Sequence, residues 1–437
     1  MVSTQLRLLR TMANSAGVRK YASNTAWLVF EQFLRGIVGV VIGIYVTRSL
    51  GPTAFGIYSY VVALVAIFAT SGRLGLDNLA VRELVRYPEN TPSILGTAFW
   101  LMLGAGAAFY AILLLVFSIS GNSDGYGIFF ATFGLILLFQ PFTVIDSYFQ
   151  SVVRVRVVTV CRIFALILSN SAKLFCAYRH SPLIIFFFIS AIEQIILAVA
   201  YYCVGKINDV PRFITSFSFE RARSLLNDSW PLLITAIAIV LYMKMDQMII
   251  KQILGEREVG VYSAAVRIYE AWIAIPHLLT VSLLPAIVRA KSSSRDLYHR
   301  RLVYLFRFVF WGSTTVVGVI CILAKPIIQI SYGANFSGAA GVLAVVMWTA
   351  VWAAMGSVSS RYFVIEGMQR KVAVRTGIAA AINFALNLLL IPRIGIMGAA
   401  VATLVSTFIS NYAMDWLDSD AKVLLKIKHA AIFGRNI

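Results

Sequence analysis

Leu50-Gly51-Pro52-Thr53-Ala54-Phe55-Gly56-Ile57-Tyr58-Ser59 joins two long apolar runs, 24–47 and 54–77. A hydrocarbon core of ~30 Å takes ~20 helical residues per crossing, and each run is of that length. Backbone in lipid has no water to bond to, so each run must close its own hydrogen bonds as a helix. Working outward, further runs occupy 94–118, 126–148, 157–177, 183–204, 229–251, 259–287, 302–324, 339–365, 376–391 and 396–416. Hydrophobic residues make up 59% of the 437 and charged residues only 13%, against roughly 25% charged in soluble domains. The expected class is an all-α integral membrane protein of about 12 transmembrane helices.

The links between the runs alternate in basic content. One set, with both termini, carries 24 Lys and Arg; the other carries 6, and the remaining 8 of 38 lie inside the runs. The positive-inside rule places the first set and both termini in the cytoplasm, and losing one helix would scramble the alternation. A net charge of +19 therefore reflects membrane topology rather than nucleic-acid binding, because the basic residues sit in short loops and form no soluble domain. The first apolar run is too long for a cleaved signal, so it reads as a retained anchor.

The longest link, 205–228, is basic and divides the chain into two sets of six runs. The expected domains are a basic tail (1–23), a six-helix lobe (24–204), a cytoplasmic linker (205–228), a second six-helix lobe (229–416) and a cytoplasmic tail (417–437). The opening stretch returns as Leu254-Gly255-Glu256-Arg257-Glu258-Val259-Gly260-Val261-Tyr262-Ser263. At an offset of 204, Leu50, Gly51, Gly56, Tyr58 and Ser59 find identical partners. Six crossings is an even number, so the second copy enters from the same side as the first. The lobes are expected to be parallel repeats about a pseudo-two-fold axis along the membrane normal, with a substrate path between them.

Ionisable residues inside a membrane are costly and usually face a bundle interior or watery cavity. The basic ones are Arg35, Arg73, Arg162, Lys173, Lys244, Arg267, Arg307 and Arg361; the clearer acidic ones are Glu31, Asp146, Glu193, Asp246 and Glu270. Several fall on helical stripes: Asn24, Trp27, Glu31 and Arg35; Ser263, Arg267, Glu270 and His277; Tyr242 and Asp246; Thr376, Asn383 and Asn387. Glu31 with Arg35, and Arg267 with Glu270, also have the spacing of self-neutralising pairs that only hold a bundle together. Asn383 and Asn387 equally suit helix-to-helix hydrogen bonding.

Gly36, Gly39 and Gly43 suggest a close-packing face, and Pro276 and Pro285 should kink a long helix. Asp415, Asp418 and Asp420 read as a solvated helix end. The four cysteines lie singly in apolar runs and form no metal or redox spacing. Catalytic signatures such as HExxH, a supported GxSxG or a P-loop are lacking, so an enzyme is not expected and neither is a cofactor. A glycosyltransferase or glycan polymerase would want a large non-cytoplasmic loop, and the links there are short.

Leu50-Gly51-Pro52 with Phe55-Gly56-Ile57-Tyr58-Ser59 resembles the motif after the first helix of bacterial Wzx-type polysaccharide flippases, the O-antigen and exopolysaccharide transporters. Gly75-Leu76-Asp77 with Arg82-Glu83 is similar to that family's GLD…RE segment. Asp246-Gln247 followed by Val259-Gly260-Val261-Tyr262-Ser263-Ala264-Ala265 resembles its seventh-helix pattern. Ile391-Pro392 with Gly395-Ile396-Met397-Gly398-Ala399-Ala400-Val401-Ala402-Thr403 resembles the stretch entering its last helix. The resemblance covers essentially the whole chain. It implies the multidrug/oligosaccharidyl-lipid/polysaccharide exporter fold, two lobes forming a V around a central cavity. It also implies ion-coupled movement of undecaprenyl-diphosphate-linked oligosaccharide across the inner membrane, with polysaccharide polymerase and chain-length machinery as partners. On that reading Arg35, Lys244, Arg267, Asn383 and Asn387 are the expected substrate-binding residues, and Glu31, Asp246 and Glu270 the expected ion-coupling ones. The alternative is a drug or small-metabolite antiporter of the same superfamily.

Overall fold

The computed structural model describes residues 16–119 and 125–434. The basic residues Arg7 and Arg10 of the expected N-terminal tail lie outside them. Every regular element among the described residues is helical. Ten helices are long and apolar enough to cross a membrane, and a pair bent by 41° makes an eleventh. The stretch Ala26–Arg86 among them is a double crossing, because α1 (Ala16–Gly72) breaks at Gly51. That accounts for the twelve crossings expected.

Gly51 has φ 73° and ψ 171°. Gly255, its counterpart in the repeat, has φ 89° and ψ −178°. This region of backbone space is essentially open to glycine alone, so the two copies share a hinge geometry as well as a spelling.

The chain divides into two compact units. One comprises residues 1–39 and 65–237, and the other residues 40–64 and 238–437. The sequence expectation kept 24–204 together; in the structure Val40–Leu64 instead groups with the second half.

The first unit contains α2 (Leu76–Arg86), α3 (Thr91–Ile119), a broken crossing, α7 (Val155–Tyr178) and α8 (Leu183–Ile207). The broken crossing consists of α4 (Gly127–Gly134), α5 (Ile136–Phe139), a 3₁₀ turn carrying Pro141, and α6 (Val144–Ser151). Leu76, Leu95, Ala98, Ile145 and Val158 are sealed in its core. The expected linker is packed against α3 as a strap. Gly96 lies so close to the carbonyls of Phe213 and Ser216 that a Cβ there would overlap them. Trp100 Nε1 donates to the Ile214 carbonyl at 2.7 Å, and Ser218 N donates to Thr97 Oγ1 at 3.1 Å.

In the second unit, Val40–Leu64 packs with the end of α9 (Phe219–Leu254) and with α10 (Glu256–Ser293), α11 (Arg295–Ile322), α12 (Ala324–Ser331), α13 (Ala339–Ile365), α14 (Gln369–Ile394) and α15 (Ile396–Phe408). A Cβ on Gly56 would strike the Glu256 carbonyl, and one on Gly260 would strike that of Pro52. Gly56 and Gly260 are offset by 204, as are Pro52 and Glu256, so the contact between the two copies is reciprocal. This backbone-to-backbone approach, with Phe55 sealed into the same core as Val259 and Ala264, is why residues 40–64 leave their sequence neighbours. Gly36 and Gly39 face open space among the described residues, and Gly43 accommodates the Arg267 guanidinium, so the three are not one packing face. The 41° bend of α10 falls at Pro285.

The end of the last crossing corrects the reading of Asp415 as part of a solvated cap, while Asp420 is exposed as expected. Asp415 and Lys428 are both fully buried. A π-turn (Ile409–Ala413) leads through α16 (Met414–Leu417) to α17 (Lys422–Phe433). Lys428 Nζ donates to the Asn411 carbonyl at 2.6 Å and to Asp415 Oδ2 at 2.5 Å. Arg375 holds the other Asp415 oxygen and reaches Asp418 at 3.1 Å. Lys371 completes the chain on Asp418 at 2.6 Å and Asp420 at 2.8 Å. The apolar face of α17, with Leu424, Ile427 and Ala431, sits in one core with Tyr298, Leu302 and Phe306 of α11. Docking that face carries Lys428 inside, where only a paired charge is tolerable.

Gly56→Ala and Gly260→Ala should each cost about 1–3 kcal/mol through overpacking, read as a lower thermal midpoint in detergent. Gly36→Ala should leave the midpoint unchanged, and equal behaviour of all three would contradict the contact. Lys428→Met leaves one oxygen of the buried Asp415 without its partner and should cost about 3 kcal/mol; adding Asp415→Asn should recover part of that loss in the same melt.

Candidate functional site

Among the described residues, the expected site residues fall into three groups of polar side chains within the apolar crossings. In the first unit, Glu31 on α1 is buried. Its Oε1 accepts from Arg35 Nε at 3.0 Å and Nη2 at 2.8 Å, the fork that the i, i+4 spacing allows. Its Oε2 lies 3.3 Å from Arg162 Nε. Arg162 Nη1 in turn donates to Asp146 Oδ2 at 3.0 Å, and Gln150 Nε2 donates to the same oxygen at 3.1 Å. Two carboxylates and two guanidiniums thus balance. The Arg35 side chain is nevertheless 46% exposed, and its Nη1 has no partner among the described residues.

The second group surrounds Asp246 on α9, which is buried. Tyr262 donates its hydroxyl to Oδ2 at 2.6 Å, and Thr403 does the same at 3.0 Å. Asn387 Nδ2 donates to Oδ1 at 2.6 Å. Asn383, one turn away on α14, comes within 3.1 Å of Oδ1 once its amide nitrogen faces the carboxylate. Asn383 and Asn387 are themselves fully buried. All the donors here are neutral, and Asn387 Oδ1 is a buried acceptor with no partner. One turn before Asp246, Tyr242 shares a hydrogen bond of 2.8 Å with Thr407.

The third group is also in the second unit. Lys244 Nζ donates to Glu270 Oε1 at 3.0 Å, with both side chains partly exposed. Arg267, one turn before Glu270, lays its guanidinium over Gly43 of α1, in space that any Cβ would fill.

The eight expected residues therefore fall into distinct settings. Glu31 meets Arg35, Lys244 meets Glu270, and Asn383 and Asn387 meet Asp246. Sequence reasoning did not assign sites to Arg162, Asp146, Tyr262 or Thr403. Arg162 and Asp146 lie on different helices with no periodic relation to point from one to the other. Tyr262 and Thr403 did carry a signal, since both stand in the quoted motif stretches, where they served only to identify resemblance.

Residues 21–291, more than half of the chain, match the family model described as polysaccharide biosynthesis protein. Over 415 residues the chain is 22% identical to a putative O-antigen transporter of Shigella flexneri, covering 90% of this chain and 96% of that one. It is 26% identical over 197 residues to a probable low-salt glycan biosynthesis flippase of Haloferax volcanii, a match that spans 43% of this chain and 40% of the relative. Among solved structures, a lipid II flippase in an inward closed conformation superposes with a TM-score of 0.73 at 14% identity, over 93% of this chain and 90% of that one. An inward-facing multidrug resistance transporter of the MATE family superposes with a TM-score of 0.71 at 15% identity, over 92% and 99%. The fold is that of the MOP superfamily. By its sequence the chain belongs to the polysaccharide biosynthesis protein family.

Proposed function

We propose that this multi-pass membrane protein is a flippase for lipid-linked oligosaccharides, moving undecaprenyl-diphosphate-linked repeat units from the cytoplasmic to the periplasmic leaflet of a bacterial inner membrane for surface polysaccharide synthesis. Both termini are then cytoplasmic, and a polymerase with its chain-length machinery takes the product. The observation that carries this reading is the match to an O-antigen transporter along 90% of the chain. The fold alone does not decide it, because drug exporters share that fold and a fold hosts many functions. A membrane crossing by a diphosphate and a hydrated glycan is the problem to be solved, since an unpaired charge cannot enter hydrocarbon. It calls for pairing rather than bond-breaking, and an enzyme is not needed.

Arg35 supports that role. Glu31 occupies its Nε and Nη2, which orients the fork and leaves Nη1 for a phosphate oxygen, and guanidinium groups pair phosphates in this planar way. Arg267 and Lys244 are the further diphosphate-binding residues of this reading. Asp246 supports ion coupling for the opposite reason to Glu31. Its donors are neutral, so no basic partner competes with a proton or sodium ion for the carboxylate, and the orphan Asn387 Oδ1 adds a further oxygen. Asn383 and Asn387 are accordingly reassigned here from glycan to ion. A cation held by that set would shift the balance between conformations by its differential affinity for them. Glu31 and Glu270, each tied to a basic partner, are weaker candidates for the same task.

Arg35→Ala combined with Arg267→Ala should abolish surface glycan on a blot of a complemented deletion strain, with membrane insertion unchanged; normal glycan would refute the assignment. Asp246→Asn keeps the size and most of the hydrogen bonds, and should lower export at least tenfold while removing its dependence on the proton or sodium gradient. Wild-type gradient dependence in that variant would place coupling elsewhere. Binding of radiolabelled lipid-linked sugar in preference to cationic dyes would separate the flippase from a drug antiporter.

A further inference from the structure

A cavity of about 250 Å³ lies wholly within the first unit, between the end of α8 and the strap that follows it. Its walls include Ile145, Tyr202, Val210 and Phe213, and its cations are Lys206 and Arg212. Neither cationic side chain has an ion-pair or hydrogen-bond partner among the described residues. Asp209, the acidic residue between them in sequence, is exposed and not part of the lining. We propose that this cavity binds the phosphate of an anionic membrane phospholipid.

Depth, rigidity and chemistry converge on that occupant. The apolar run of α8 ends at Val204, so Lys206 stands where hydrocarbon gives way to headgroups, as basic residues at helix ends do. On the same stretch Ile207 is 78% exposed, Phe217 50% and Phe219 80%. Large apolar side chains left open beside basic ones are suited to the plane of a bilayer surface. The strap does not have to be ordered by a ligand, since Trp100, Thr97 and Gly96 already pin it to α3, and a preformed site avoids that cost of binding.

A phosphodiester would take the Arg212 fork and the Lys206 ammonium together, while its glycerol and first acyl carbons meet the apolar wall. Free phosphate would use the cations but gain nothing from Ile145, Tyr202 or Val210. A diphosphate carrying an oligosaccharide exceeds the volume available. The site is independent of the transport reading above.

The test is native mass spectrometry of the full chain in detergent, titrated with phosphatidylglycerol and phosphatidylcholine. Wild type should prefer phosphatidylglycerol, and Lys206→Gln with Arg212→Gln should reduce that preference about thirtyfold, the effect of removing two surface cations. Arg223→Gln with Lys426→Gln removes equal charge elsewhere and should leave the preference intact. Lys206→Arg with Arg212→Lys should retain most of it, which separates lost charge from lost folding. An unchanged preference in the double Gln variant, an equal fall in the control pair, or displacement of the lipid by inorganic phosphate would each overturn the proposal. Loss of glycan export with lipid retention unchanged would assign the cavity to cargo, and would overturn it too.

Discussion

A polar group sealed in hydrocarbon must find its partner inside the protein, and this rule orders the whole molecule. The backbone meets it by being helical throughout the described residues. Side chains meet it in two ways. Glu31 and Asp146 are matched by Arg35 and Arg162, and Asp415 by Arg375 and Lys428. Asp246 is matched by a tyrosine, a threonine and an asparagine. A carboxylate fully engaged by guanidinium has little to gain from a further cation. One held by neutral donors has no basic group hydrogen-bonded to it, and a charge inside an apolar crossing is costly to maintain in that state. The difference between Asp246 and the other buried acids is therefore one of kind.

Internal repetition accounts for the next level. Gly51 and Gly255 turn the chain with the same rare backbone geometry, and each is followed by a glycine, Gly56 or Gly260, that lets the copies touch main chain to main chain. Helices approach this closely only where side chains are absent. The reciprocity of the contact explains why the motif contains glycine at that place in both copies. Either copy alone would have no reason to omit a Cβ, because what fills the space is the other copy.

Features legible in the sequence were those set by one helix at a time. Crossing number follows from apolar run length, the equivalence of the links at 50–59 and 254–263 from the repeated motif, a bend in α10 from its prolines, and the Glu31–Arg35 fork from its i, i+4 spacing. What escaped was decided between helices. Asp146 and Arg162 share no periodicity. Lys428 looks like any cationic tail residue until the apolar face of α17 is seen to dock with it. Residues 205–228 read as a basic cytoplasmic linker, since nothing local says that Gly96 is a landing place for the carbonyls of Phe213 and Ser216. Asn383 and Asn387 were legible as a polar face but not as the neighbours of Asp246, 141 positions earlier in the case of Asn387.

The same distinction bears on how function is inferred for membrane transporters. Superposition with both a lipid flippase and a drug exporter at 14–15% identity leaves substrate class open, because the shared element is the packing of apolar helices and packing constrains cargo weakly. Family membership is what narrows the class. In the first unit Glu31 and Asp146 share Arg35 and Arg162, so its buried acids are neutralised charge for charge. Arg35 is the member of that set left 46% exposed. A guanidinium at the open edge of a buried set is where the proposed diphosphate contact is to be tested, because packing alone leaves that role open.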